Sequence, residues 1–126
     1  MKNLLLYIHQ LPQNLIGLLV ILFTGAKKNN CDGITYYKPK QFFGVSLGNY
    51  IILRVTSIND IHHEHGHQIQ SRRLGWLYLL IIGLPSITFN IWDIIAHRKW
   101  SINDRIKWYY SLPWEADADK LGGVHR

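Results

Sequence analysis

The chain has 126 residues and a hydrophobic fraction of 48%, enough for one compact domain and too little for several. Its formal charge of +6 would suit a nucleic acid or an anionic surface. The cations form no stripe interleaved with aromatic residues, which argues against nucleic acid. They sit at the edges of apolar segments, at Lys27 and Lys28, Arg72 and Arg73, Arg98 and Lys99, as basic residues do beside membrane segments facing the cytoplasm. The single cysteine, Cys31, excludes an internal disulfide and carries no ligand pattern.

The first segment, Leu4 to Gly25, is mostly apolar and long enough to cross a bilayer at about 20 residues. Gln10, Gln13, Asn14 and Gly17 fall with Asn3 along one side of a helix, and such a polar stripe should face protein or water. A spanning anchor, an amphipathic helix in the interface and a cleaved signal peptide compete. The polar interruption and the lysines directly after Thr24-Gly25-Ala26 weigh against cleavage, so a retained membrane helix over 1–26 is expected.

Residues 27 to 33 are polar and end in the turn signal Asp32-Gly33. From Ile34 to Arg54 the chain is rich in β-formers, among them Tyr36, Tyr37, Phe42, Phe43, Tyr50 and Ile51. A hairpin or small meander over about 34–54 fits, with Leu47-Gly48-Asn49 as its turn.

Next comes Ile58 to Gly75, where His63, Glu64 and His67 spell H-E-x-x-H. Residues four apart stack on one helical face, so two imidazoles can address one metal ion while the adjacent Glu64 reaches its open position as a base. Ser57 or Asn59 can cap such a helix, Asp60 suits its first turn and Arg72 and Arg73 its last. Gly66 is the weak point, costing about 1 kcal/mol of helix propensity. His62 and His65 point off the metal face.

Leu74 to Ile95 has the length of one transmembrane helix, with Trp76 and Trp92 as interfacial anchors. A clean crossing would carry later residues about 30 Å from the histidines. Gly83-Leu84-Pro85-Ser86 predicts instead a break, giving an apolar helical hairpin that dips into one leaflet and returns. A buried helix pair in a soluble protein is the alternative. Asp93 would pair with Arg98 or Lys99.

A further helix starts at Ser101 or Asn103-Asp104, and Pro113 precedes the last, which carries Glu115 and Asp119 and closes at Gly122-Gly123. The chain has only two glutamates, Glu64 and Glu115: one in the base position, the other where a third ligand is wanted. Two histidines and a carboxylate are a common set for hydrolytic zinc. Asp119 shares the face of Glu115 and could accept the second N–H of a liganding histidine, most plausibly His63. His97, Arg105, Tyr109, Tyr110 and His125 are candidates by residue type alone for stabilising an oxyanion.

His63-Glu64-His65-Gly66-His67 and Glu115-Ala116-Asp117-Ala118-Asp119 resemble the gluzincin metallopeptidases. They are closest to the membrane-embedded branch that contains the prenyl-protein (CAAX) endopeptidase and bacterial heat-shock membrane proteases. The resemblance covers two short windows 48 residues apart (115 minus 67), in a chain much shorter than that family. It implies Zn²⁺ held by His63, His67 and Glu115, Glu64 as general base toward zinc-bound water, Asp119 supporting a ligand, and strand-addition binding of a peptide or protein substrate along 50–54. The expectation is a mainly helical α+β domain over 1–126, a membrane-associated zinc metallopeptidase with its site on the cytoplasmic side. The alternative is a non-catalytic membrane protein acting as a binding or assembly factor, with a structural zinc completed by His97 or His125, or with no metal.

Overall fold

The computed structural model describes residues 2–40, 44–54 and 57–126; Phe42 and Phe43, placed above among the β-formers, lie outside them. Helices take 67% of the described residues, beside one small sheet. The expected mainly helical α+β fold is what forms.

The N-terminal segment is two helices, α1 (Lys2–His9) and α2 (Leu11–Thr24), bent by 89° at Gln10. A single retained helix was expected, and neither half is long enough to span. Pro12 lies in the first turn of α2 and has no N–H to continue the ladder of α1. The polar stripe does face protein. The Gln13 amide donates to Ser71 Oγ and to the Gly75 carbonyl at 2.9 and 2.8 Å, Ser71 Oγ donates to Gln10 Oε1 at 2.7 Å, and Asn14 accepts from the Asn49 backbone at 2.7 Å. Asn3 stays exposed.

The sheet begins earlier than the β-former pattern suggests. β1 (Lys27–Cys31) pairs antiparallel with β2 (Ile34–Lys38) across Asp32 (φ 51°) and Gly33 (φ 75°). Two positive-φ residues make the tight hairpin whose twist suits paired strands. β3 (Gly44–Leu47) and β4 (Tyr50–Leu53) form a second hairpin, and β4 runs parallel to β2, giving the order β1-β2-β4-β3. Ile34, Tyr36, Ile51 and Leu53 pack on Ile61, so the sheet roofs α3 (Ile58–Leu74). Ser57 caps α3 by accepting from the Asp60 N–H at 3.1 Å.

The apolar segment is not a hairpin. A 3₁₀ turn (Gly75–Leu77) and a π-helical turn (Leu79–Gly83) run without a reversal into α4 (Leu84–Ala96), so that Leu79–Ala96 is one helix of 18 residues. The Leu84 N–H reaches back to the Leu79 carbonyl, and this widened turn leaves room for the Pro85 ring that would otherwise strike the preceding carbonyls. α5 (Ile102–Ser111) then returns antiparallel along α4, and α6 (Pro113–Gly122) lies across α3. Asp93 is held by Arg105 (2.8 and 3.0 Å) and His97 (3.0 Å), not by Arg98 or Lys99, because the returning α5 covers it.

Candidate metal centre

Two helices deliver the site, with Glu115 on α6 lying 48 residues after His67 on α3. α3 presents His63 and His67 on one face, and α6 lies so close that a Cβ on Gly66 would overlap the Ala118 backbone and one on Gly122 the His62 carbonyl. Glycine at those positions lets the two backbones touch, and that contact carries Glu115 and Asp119 to the histidines.

His63, His67 and Glu115 are all buried, with one ligand atom from each within 4.8 Å of the others. Both Nε2 atoms stand 3.0 Å from the same oxygen, Glu115 Oε2. The other nitrogens are occupied. His63 Nδ1–H donates to Asp119 Oδ1 at 2.7 Å. His67 Nδ1–H donates to Gln70 Oε1 at 2.7 Å; this orientation of the amide follows because Gln70 Nε2 donates to the Trp114 carbonyl and to Asp117, both at 2.9 Å. With Nδ1 protonated on each ring, neutral imidazoles would turn lone pairs toward a carboxylate lone pair. Three acceptors would then converge, and such a cluster is stable only with positive charge at its centre, a proton or a metal ion.

Electrostatics agree. Burial works against a charged His63, but Asp119 and then Glu115 outweigh it and raise the ring from 6.5 to about 9. His67 is raised for the same reason, Glu115 outweighing burial. Burial would lift Glu115, yet hydrogen bonds to His63 and His67 hold it well below the usual carboxylate range. Glu64 is pushed up by burial, which the two histidines only partly offset. A carboxylate raised in this way is a stronger base than an ordinary one.

The second oxygen of Glu115 is also fixed: Ser86 Oγ donates to Oε1 at 2.7 Å and the Tyr109 hydroxyl at 3.0 Å. Asp119 is gripped by Arg126 at 2.7 and 3.1 Å, and the Arg126 guanidinium lies 3.4 Å over the Tyr110 ring, whose edge meets His63 at 5.0 Å. Ser86, Gln70 and Arg126 had no sequence signal beyond residue type, since each acts on a partner fixed only by the packing of α3, α4 and α6.

His63, Glu64, His67 and Glu115 share one cavity of about 650 Å³, walled by β3 and the start of α4. Glu64 reaches β3, its Oε1 3.8 Å from where a Cβ on Gly44 would stand. The strand expected to receive substrate, 50–54, cannot do so, because β4 is flanked on both sides by β2 and β3. Of the five oxyanion candidates, Tyr109 and Tyr110 line the cavity. Arg105 is tied to Asp93, His97 is stacked on Trp100 at 3.7 Å, and His125 is exposed. Neither His97 nor His125 joins the ligand group among the described residues. Compared with protein-family models, with curated proteins and with solved structures, the chain matches none.

Proposed function

We propose that the protein is a membrane-associated zinc metallopeptidase. The observation that carries this reading is the meeting of two Nδ1-protonated imidazoles with one carboxylate oxygen at 3.0 Å, with a second buried glutamate, Glu64, in the same cavity. Two imidazoles and a carboxylate favour zinc over the hard, oxygen-seeking cations, and three protein ligands leave a position open for water. An ion held there would polarise a carbonyl and acidify water. Glu64 takes the proton from the attacking water and passes it to the leaving amine. Ser86 and Tyr109 keep Glu115 pointing one oxygen at the histidines.

The substrate backbone would lie along β3. That strand is an edge, and it borders the cavity from Gly44 to Leu47. The opposite edge, β1, carries Lys27, Lys28, Asn29 and Asn30, exposed, a composition that discourages strand addition. Membrane association is supported by the 18-residue apolar helix, of which only 11% is buried, and the basic residues beside it favour a cytoplasmic face.

The test is Glu64→Gln in zinc-loaded protein. Peptide hydrolysis should fall by at least about 1,000-fold, in line with loss of a general base, while one zinc per chain is retained by elemental analysis. Full hydrolysis by this variant refutes the mechanism, and failure of the wild-type chain to bind zinc removes the site.

A further inference from the structure

The exposed residues of α4 are apolar on one broad side but for Thr88. Leu84, Ile87, Ile91, Trp92, Ile94 and Ile95 are all more than half exposed, and at 3.6 residues per turn they fall within an arc of about 160°. The opposite side carries Ser86, Asn90, Asp93 and His97, covered by α5 and α6. An apolar arc of this size in water marks an interface. The question is what covers it, and in what orientation.

Two observations answer it. α5 runs antiparallel beside α4, with Phe89 against Trp108 at 6.3 Å and Tyr109 near the Ser86 carbonyl, yet it exposes Asn103, Asp104 and Lys107. A helix standing upright through a bilayer would drag those charges into hydrocarbon, where they are strongly disfavoured. Moreover, exposed cations flank both ends of the apolar run: Arg72 and Arg73 before it, Arg98 and Lys99 after it. A helix lying flat puts both pairs at headgroup level, where each meets anionic lipid. α1 lies beside the start of the apolar run, where the Trp76 indole N–H donates to the Ile8 carbonyl at 2.9 Å, and its Leu4, Leu5 and Ile8 are also exposed.

We infer that α4 lies in the plane of an anionic bilayer, apolar arc inward, with the two basic pairs on lipid phosphates, and does not cross it. This rests on the membrane reading above and gives it a partner and a geometry. Leu84 and Ile87 belong both to the arc and to the cavity wall, so the mouth of the site opens at the lipid surface.

The test uses the full chain carrying Glu64→Gln and Cys31→Ser, so that neither turnover nor the native thiol contributes. Single cysteines are placed at Arg73 and Asn103, and protein is added to preformed phosphatidylcholine vesicles with or without phosphatidylglycerol. Flotation should show binding that requires phosphatidylglycerol. An impermeant thiol reagent added outside should label both cysteines fully. Labelling of one position only after detergent opens the vesicles means a crossing helix and overturns the inference. So does equal binding to vesicles lacking anionic lipid, or no binding at all. Arg98→Ala with Lys99→Ala should weaken binding about thirty-fold, as expected for two headgroup cations; unchanged binding overturns the basic-pair contact. An Ile91→Cys protein that forms disulfide-linked dimers and stays in solution assigns the arc to a second copy, against the inference. A zinc-loaded wild-type chain that floats normally but hydrolyses no peptide would fault the peptidase reading alone.

Discussion

Gln70 decides which nitrogen of His67 carries the proton, although it touches no candidate substrate atom. Its amide nitrogen is committed to the Trp114 carbonyl and to Asp117, so its oxygen must face the ring and hold Nδ1–H. Partners of this kind set ligand basicity and orientation, and their loss typically costs 10–100-fold in metal affinity. Gln70→Ala should therefore weaken zinc binding by about that factor in a competition titration. Gln70→Glu, made together with Asp117→Asn so that no carboxylate faces another, keeps an acceptor for His67 and should lose less. Equal losses in both variants would mean that the amide serves only to join α3 to α6. Asp119 plays the matching part for His63; that bond, and then Arg126, outweigh burial and hold its carboxyl below the usual range.

At the scale of elements, Gly66 separates what propensity says from what packing says. In an isolated helix, Gly66→Ala should stabilise by about 1 kcal/mol. In the fold, the new methyl meets the Ala118 backbone, which cannot step aside as a side-chain tip could, and overpacking of this kind costs about 1–3 kcal/mol. Unfolding in urea should show destabilisation, with zinc affinity falling as α6 is pushed off α3; a stabilised variant with normal zinc binding would refute the close contact. Much of this was legible in the chain. Ser57 and Ser101 cap their helices as their positions imply, and a four-residue histidine spacing needs only a helix to become a pair of ligands. A lone second glutamate then made the third ligand a short guess. What the pattern misread was Gly83-Leu84-Pro85-Ser86. Proline forbids one hydrogen bond, but a π turn absorbs that loss with the helix unbroken, and no periodicity of apolar residues encodes the choice. The same blindness hid Ser86, which reads as part of a break and lies instead on the covered face of α4, bonded to Glu115.

At the scale of the molecule, the candidate centre ties α3, which carries the sheet, to α6, which closes the chain over it, so metal and fold stability must be linked. The pH dependence differs between the two forms. In the metal-free protein His63 is raised from 6.5 to about 9, so the native state holds that proton more tightly than the unfolded chain. The stabilisation is complete below about pH 6.5 and is lost as pH rises through about 9. Zinc requires the proton to leave, so its affinity rises over the same interval and offsets that loss, leaving the loaded protein level with pH above about 6.5. Calorimetric melts in EDTA should fall between pH 6.5 and 9 while melts with stoichiometric zinc hold level, and the gap between the curves should widen with pH. Asp119 acts on the acid side: its carboxyl is depressed in the fold, so both forms weaken as pH falls through its folded value. A metal-free melt that stays flat from pH 6.5 to 9 would mean that His63 is not held by the carboxylates of α6. It would then have no reason to await a cation, and the convergence of three acceptors on which the metal reading stands would be lost with it.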